Sequence, residues 1–267
     1  MAELLAPAPG GTPATALLDD GDGPPLLLVH GSGGSPADWD GVLRGLGGFR
    51  TVRVRRRRYL PGPGPVPAHP VAVEAADVLA VAALLDRPPL LVGHSSGATV
   101  ALEAAAARPA AFAGLVLYEP PLPVDGPVGG EASRRARAAL AAGDRAGAMR
   151  IHLGENAGMP PALLEAVFAD PAERERLAAG ADAQFADLDA IDALGPGTDR
   201  YRHLALPVTL LEGADSPRHL RHTLTALAAA LPDARRVTLP GQGHTAHVTG
   251  PHLLAAEIRA AAQRAFA

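Results

Sequence analysis

The pentapeptide Gly-His-Ser-Ser-Gly at residues 93–97 is the sequence feature that most restricts what this chain can fold into. An apolar run, 89–92, precedes it, and an alanine-rich stretch of helical character, 98–108, follows it. This order predicts a buried strand, a tight turn with Ser95 at its apex, and a helix. Glycines flank the turn because side chains at those positions would collide with the adjoining strand and helix. The stretch is therefore typical of a nucleophile elbow, which holds a serine hydroxyl above the carboxyl edge of a parallel sheet.

The rest of the chain alternates short apolar runs with stretches of helical periodicity. This alternation predicts an α/β fold with a doubly wound, mostly parallel sheet, because parallel strands need helical crossovers between them. Besides the run 89–92, we expect strands at residues 12–18, 26–29, 49–54, 114–118, 207–211 and 234–239, the first of them at a sheet edge.

Strand patterns are absent between residues 120 and 201, where four short helical stretches are separated by glycine and proline. An insertion between two strands of such a sheet lies over the carboxyl edge, where ligands bind. We therefore expect a helical cap of residues 120–201 over an α/β core formed by residues 1–119 and 202–267.

Composition narrows the class of protein further. A chain of 267 residues can bury one sizeable core, and its net charge of −4 gives no electrostatic reason to bind nucleic acid or an anionic membrane surface. The absence of cysteine excludes disulfides and thiolate metal sites. Neither a signal peptide nor an apolar run of membrane-spanning length, about 20 residues, is visible. We expect a soluble, cytoplasmic protein that acts on a small molecule without a metal or organic cofactor.

A glycine-rich loop, residues 30–35, directly follows the strand predicted at 26–29. Glycines leave backbone N–H groups free to point toward a ligand, which suits an oxyanion hole. The alternative is a loop that binds a phosphate or a dinucleotide. That alternative is disfavoured because neither Gly-x-Gly-x-x-Gly nor a terminal Gly-Lys-Ser/Thr is present.

A serine, candidate acids and a histidine follow one another at the carboxyl ends of predicted strands, in the order that this kind of elbow requires. With this pattern the chain resembles the α/β-hydrolase superfamily over nearly its whole length, from His-Gly at 30–31 through the elbow to Gly-Gln-Gly-His at 241–244. The segment Leu-Tyr-Glu-Pro-Pro at 117–121 is similar to small bacterial members that carry a helical cap.

The resemblance implies roles for particular residues. Ser95 is the expected nucleophile, and His244, in the glycine-rich turn after the last strand, is its expected general base. The backbone N–H of Ser96 is one expected donor of the oxyanion hole. The second donor lies in the loop and is one of Ser32, Gly31 and Gly33, with Ser32 the expected one.

The acid of the triad has two candidate positions. Most relatives place it three residues after the glycine that ends the preceding strand, which here is Gly213, so that the usual position is occupied by Ser216 and Asp215 comes one residue early. A second version of the fold places a carboxylate at the end of the strand after the elbow, where Glu119 stands. Either acid could orient the imidazole of the base, and both are retained, with the register slightly favouring Glu119.

These residues predict a serine hydrolase that cleaves an ester-like bond, whether carboxylic ester, thioester or lactone, through an acyl-enzyme. The same Ser–His pair also serves relatives that break C–C bonds, eliminate or cyclise, which is the second interpretation. A third is a non-catalytic ligand receptor. The substrate is expected to be small and apolar. Four large apolar residues of the cap either line its pocket or, as we expect for most, pack the cap onto itself: Met149, Met159, Phe168 and Phe185.

The composition of three further segments predicts how each of them behaves in the fold. The four arginines at 55–58 predict a solvated or backbone-capping cluster, with an anion site as the alternative. The proline- and glycine-rich residues 61–65 predict a stiff loop, and residues 6–11 predict a loose leader.

Overall fold

The structure is a computed structural model that describes residues 2–8, 12–19, 21–60 and 68–267. The predicted loop 61–65 and residues 9–11 of the predicted leader lie outside the described residues. Among the described residues, strands form one sheet in the order β1-β2-β4-β3-β5-β6-β7-β8. They are β1 (Ala2–Ala6), β2 (Ala14–Leu18), β3 (Pro25–Val29), β4 (Arg50–Arg55), β5 (Leu90–His94), β6 (Gly114–Tyr118), β7 (Val208–Gly213) and β8 (Ala234–Leu239).

The helices connect these strands and cover both faces of the sheet. They are α1 (Asp40–Leu43), α2 (Val71–Ala82), α3 (Ser96–Ala107), α4 (Gly130–Ala141), α5 (Arg145–Ile151), α6 (Pro161–Ala169), α7 (Pro171–Asp192), α8 (Arg218–Ala230), α9 (Ala246–Thr249) and α10 (Pro251–Ala265), with a π-helical segment, His152–Asn156, after α5. Helices α4–α7, which we call the inserted helices, fall between β6 and β7.

The centre of the sheet is parallel and buried on both faces. Strands β4, β3, β5, β6, β7 and β8 pair in parallel, whereas β1 and β2 are antiparallel to their neighbours. Successive side chains of β3 point to opposite faces: Leu27 packs into the core that includes residues of α2, α3 and α8, and Leu28 into the core formed with α1 and α10. This arrangement confirms the predicted doubly wound, mostly parallel α/β sheet.

The amino-terminal edge of the sheet differs from the prediction. Residues 12–18 were expected to form the edge strand, but β1 pairs outside β2, so that β1 is the edge. The sequence of β1, Ala-Glu-Leu-Leu-Ala, consists of good helix formers and is mostly exposed. Its extended conformation therefore depends on pairing with β2, a tertiary contact that local propensity does not report.

The elbow lies between β5 and α3, as predicted. Its two flanking glycines are required by close approaches of the backbone: a Cβ at Gly97 would lie 2.2 Å from the carbonyl oxygen of His30, and one at Gly93 would lie 2.4 Å from Cα of Ala98. Ser95 itself adopts φ +53°, a left-handed conformation that is rare for a residue with a side chain. The turn therefore presents the serine at the carboxyl edge of the sheet.

Candidate active site

Ser95, His244 and Glu119 come together at the carboxyl edge of the sheet. His244 follows β8, and its Nε2 lies 2.9 Å from Oγ of Ser95. The other ring nitrogen, Nδ1, lies 2.5 Å from Oε2 of Glu119. Three residues from distant parts of the chain thus form one hydrogen-bonded line.

The proton positions in this line follow from the chemistry of its ends. An ionised carboxylate only accepts hydrogen bonds, so Nδ1 of His244 carries a hydrogen and donates it to Glu119. In the neutral imidazole the other nitrogen, Nε2, is then an acceptor, and Ser95 donates its hydroxyl hydrogen to it. This is the proton arrangement that a general base needs before it activates a serine.

Glu119 is held in place from several sides. It immediately follows β6, its backbone N–H donates to the carbonyl of Leu211 at 3.1 Å, and its Oε1 accepts from the N–H of Gly213 at 2.7 Å. Its side chain is completely buried, and its backbone adopts φ +48°. Left-handed residues other than glycine are strained and cluster at functional sites. Ser95 and Glu119 are the two such residues in the described part of the chain.

Asp215, the other candidate acid, lies outside this line. It stands in the turn after β7 with an exposed side chain, and its backbone N–H donates to the carbonyl of Gln242 at 2.9 Å. Within the described residues no hydrogen bond or ion pair joins its carboxylate to His244.

The loop that carries His244 is fixed by aromatic neighbours from the sheet. Nε2 of His94 donates to the backbone carbonyl of His244 at 2.9 Å. The hydroxyl of Tyr118 donates to the carbonyl of Gly243 and accepts from the N–H of Ala246. The position of the imidazole is thus tied to both β5 and β6, the strands that Ser95 and Glu119 directly follow.

The family model described as the alpha/beta hydrolase family matches residues 26–257 of this chain. The chain belongs to the alpha/beta hydrolase family. Its structure is similar to that of an alpha/beta hydrolase from Sphaerobacter thermophilus, with 29% sequence identity, 97% of this chain and 99% of that chain covered, and a TM-score of 0.78. The esterase RhEst1 from Rhodococcus sp. is 25% identical over 97% of this chain and 98% of its own, with a TM-score of 0.73.

A curated relative matches a shorter stretch of this chain. Lipase LipV from Mycobacterium tuberculosis is 51% identical to it over 55 residues, which are 19% of this chain and about a fifth (21%) of the length of the lipase.

The predicted oxyanion residues of this alpha/beta hydrolase lie beside Ser95. Ser96 is the first residue of α3, so its N–H has no acceptor within the helix and lies at the positive end of the helix dipole. The loop after β3 passes close to Ser95, since a Cβ at Gly31 would lie 3.1 Å from Cβ of Ser95. Nδ1 of His30 donates to the carbonyl of Gly31 at 2.9 Å and anchors this loop. Ser32, the expected second donor, lines the same cavity as Ser95 and Ser96.

A cavity of about 630 Å³ opens above Ser95 and His244. Its polar floor comes from the elbow and the loop after β3. The inserted helices and neighbouring segments supply the walls, which combine polar side chains of α7, Glu173, Arg176 and Gln184, with apolar ones, among them Met149, Leu153, Met159, Val167, Leu177 and Leu188. Phe168 and Phe185 are buried in the main core and do not line this cavity. Met149 is buried in the same core and also reaches the cavity, whereas Met159 lines the cavity without belonging to that core. The expectation that most of the four large residues pack internally therefore holds for Phe168, Phe185 and Met149.

The arginine run 55–58 is not the solvated cluster that was predicted. The side chains of Arg56 and Arg58 are almost completely buried. Nη2 of Arg58 does contact backbone, donating to the carbonyl of His69 at 2.8 Å, but it does so inside the protein. The side chain of Arg55 is partly exposed, and Arg57 donates to the carbonyl of Thr12 at 3.3 Å, so solvation and backbone contact do occur in part of the run. Solvation was wrong for Arg56 and Arg58, because the exposure of a charge run depends on which carboxylates other elements bring to it.

Several histidines near the site are held in the neutral form. Burial lowers the pKa of His30, His152 and His247 to about 4. The charge of Arg56 acts in the same direction on His30, and His244 does so on the other two when its ring is protonated. Burial also lowers the pKa of His94 well below its usual value.

Stability is therefore expected to fall in mild acid. The unfolded chain binds protons on His30, His152 and His247 below about pH 6.5, whereas the folded chain does not until about pH 4. The free energy of unfolding is thus highest above pH 6.5 and decreases between pH 6.5 and 4, by up to about 1.4 kcal/mol per pH unit for each proton. Urea unfolding at pH 7.5, 6, 5 and 4.5 measures this slope.

Two substitutions test the source of the slope. His247→Gln removes one buried titrating group and is expected to reduce the slope of the free energy of unfolding against pH by the contribution of up to one proton. His252→Gln, at an exposed position, is the control and should leave this slope unchanged. A stability that is constant from pH 7.5 to 5 would contradict the prediction.

The described residues contain no group of three or more histidine or carboxylate side chains arranged to hold a metal ion. None of their helices combines the length and apolarity needed to cross a bilayer.

Proposed function

We propose that this protein is a serine hydrolase that cleaves an ester-like bond of a small or medium-sized apolar substrate through an acyl-enzyme. The observation that carries the proposal is the hydrogen-bonded line from Oγ of Ser95 through His244 to Glu119. The similarity to an esterase and, over a short stretch, to a lipase supports the same class of reaction.

In the first half of the reaction, Nε2 of His244 removes the proton of Ser95 as the serine oxygen attacks the carbonyl carbon of the ester. Glu119 stabilises the imidazolium that forms and holds it in the reactive tautomer. Negative charge develops on the carbonyl oxygen, where the N–H groups of Ser96 and Ser32 stabilise it. His244 then protonates the leaving alcohol, and the acyl group remains on Ser95.

In the second half, His244 activates a water molecule that attacks the acyl-enzyme. The proton taken from this water passes to Ser95, the carboxylic acid leaves, and the enzyme returns to its starting state. In both halves Glu119 is the carboxylate partner of His244, and Asp215 takes no part in the reaction.

The cavity supports the choice of substrate. Its volume of about 630 Å³ accommodates a small or medium-sized molecule, and the apolar side chains that line much of it favour an apolar acyl group. In this proposal residues 120–201 act as the cap over a core of residues 1–119 and 202–267.

The test is reaction of the wild-type protein with a fluorophosphonate, followed by intact mass measurement and by assays on p-nitrophenyl esters of two to ten carbons. We expect one adduct per chain, mapped to the peptide that contains Ser95, and hydrolysis of the short and medium esters. A folded protein that forms no adduct and hydrolyses no ester would contradict the proposal. That result would favour a reaction in which Ser95 and His244 act only as a base.

A further inference from the structure

A closed ring of hydrogen bonds lies behind the predicted oxyanion hole. Nη1 of Arg56 lies 2.6 Å from Oγ of Ser96, which lies 2.7 Å from Oγ of Ser32. Ser32 Oγ lies 2.7 Å from Oδ2 of Asp187, and Oδ1 of Asp187 lies 2.8 Å from Nη2 of Arg56. Two charged side chains and two hydroxyls thus contact each other in a single circuit.

The direction of the hydrogens around this ring is determined by its charged members. The guanidinium of Arg56 only donates, and the carboxylate of Asp187 only accepts. Each hydroxyl has one hydrogen, so Ser32 donates to Asp187, Ser96 donates to Ser32, and Arg56 donates to Ser96. Only in this arrangement does each of the four side chains make both of its hydrogen bonds in the ring. Loss of the carboxylate removes the acceptor that determines the direction of donation.

The ring joins parts of the chain that are far apart in sequence. Arg56 follows β4, Ser32 lies in the loop after β3, and Ser96 begins α3, all within the predicted core. Asp187 alone comes from the inserted helices, on α7. Of the four ring residues, Asp187 is therefore the one from the predicted cap, and without it the circuit stays open.

The charges in the ring are buried and paired. Arg56 is 2% exposed and Asp187 is 1% exposed. Arg56 also donates to Glu74, and Asp187 also accepts from the hydroxyl of Tyr59 at 2.8 Å. Burial alone would raise the pKa of Asp187, but the charge of Arg56 outweighs it and holds the pKa below its usual value, so the carboxylate stays ionised at neutral pH.

A purely structural ion pair would need only Arg56 and its carboxylate partners. Here the additional bonds reach the side chains of Ser32 and Ser96, the two residues whose backbone N–H groups are the expected oxyanion donors. Fixing the side chain of a residue limits the rotation of its own backbone N–H. Oxyanion donors are effective only within a few tenths of an ångström of the right position, so such support affects the rate of the chemical step.

We infer that Asp187 is a positioning residue for the oxyanion hole, so that the hole has its reactive geometry only while helix α7 is seated and the ring through Arg56, Ser96 and Ser32 is closed. The inference rests on the proposed function, since it concerns the same reaction. It also gives the inserted helices a second role beyond forming the cavity wall, because they complete the catalytic site from behind.

The first test is Asp187→Asn, which keeps the shape of the side chain and removes its charge. We expect kcat for a p-nitrophenyl ester to fall about 10- to 100-fold, with KM within about threefold of the wild-type value. A trifluoromethyl ketone that forms a hemiketal oxyanion on Ser95 should bind more weakly by the same factor as kcat/KM falls. The matching secondary alcohol, which forms no oxyanion, should bind as tightly as before.

A second variant avoids any loss of folding caused by removing a buried negative charge beside Arg56. Ser32→Ala leaves every charge and every backbone N–H in place but opens the ring between Ser96 and Asp187. We expect kcat to fall by about 10-fold, less than in Asp187→Asn. Binding of the ketone should weaken, whereas KM and binding of the alcohol should stay near the wild-type values. Asp182→Asn is the matched control, because Asp182 lies on the same helix in an exposed pair with Arg145, and it should change neither constant by more than about twofold.

The outcomes separate the inference from the proposed function. If the wild-type protein hydrolyses esters and both ring variants keep its kcat, the inference is overturned while the proposed function stands. If the ketone and the alcohol both bound more weakly to the variants by the same factor and KM rose, the inference would also be overturned, because Asp187 would then only support the cavity. A wild-type protein that neither hydrolyses esters nor binds the ketone would overturn the proposed function itself.

Discussion

Replacing Ser95 by alanine is expected to lower kcat/KM for a p-nitrophenyl ester by about 10⁵- to 10⁶-fold, to the level left by binding and the oxyanion hole alone. The hydroxyl is the only group of the elbow that contacts Nε2 of His244 in the described structure, at 2.9 Å. Its removal leaves no oxygen to form the acyl-enzyme. The fold should be unaffected, because the side chain of Ser95 is partly exposed to the cavity and its backbone bonds are retained.

The measurement is steady-state hydrolysis together with fluorophosphonate labelling of the variant, which should be absent. Ser216→Ala is the matched control. It removes a buried hydroxyl that has no hydrogen-bond partner in the described structure and does not line the cavity, so the rate should stay within about twofold. If Ser95→Ala retained a tenth of the wild-type rate with an intact fold, another residue would have to be the nucleophile.

Glu119→Gln is expected to lower kcat by about 10³- to 10⁴-fold, whereas Asp215→Asn should change it by less than about threefold. The carboxylate of Glu119 accepts the Nδ1 hydrogen of His244 at 2.5 Å. Glutamine has nearly the same shape but no charge with which to stabilise the imidazolium, and its amide can donate to Nδ1 and favour the wrong tautomer. Asp215 is exposed and makes no such contact, so its charge is screened by solvent.

Both variants are compared under the same ester assay, with thermal unfolding as the check on folding. Asp215 provides the natural control for Glu119, since it is the other acid that the sequence allows. A large loss in Asp215→Asn with little change in Glu119→Gln would reverse the assignment. Equal large losses with lowered thermal stability would point to an effect on folding in either variant.

Local patterns in the sequence were sufficient for much of this picture. The run 89–92, the two glycines of the elbow and the alanine-rich stretch after it predicted strand, turn and helix, and the structure contains all three. Buried parallel strands are continuous apolar runs, so β3 and β6 were found within a residue of their bounds. The glycines were required for a reason that is visible locally, because the elbow folds back on its own strand and helix.

Other features required distant parts of the chain to be brought together. The sequence left Glu119 and Asp215 as alternatives, because both stand at the carboxyl ends of strands. Only the relative positions of β6, β7 and the loop after β8 decide which of them contacts His244. The strand β1 was missed for a similar reason, since its residues favour a helix until β2 offers them hydrogen-bond partners.

The sequence by itself determined the strand–turn–helix unit around Ser95, the alternation that makes the sheet parallel, and the place of His244 after the last strand. These depend on hydrophobic periodicity and backbone sterics, which act over a few residues. Only the tertiary structure decided that Glu119 contacts the imidazole and that Arg56 is buried with Asp187 behind the predicted oxyanion hole. Those contacts join residues more than a hundred positions apart, and a buried charge is stable only where folding supplies its partner.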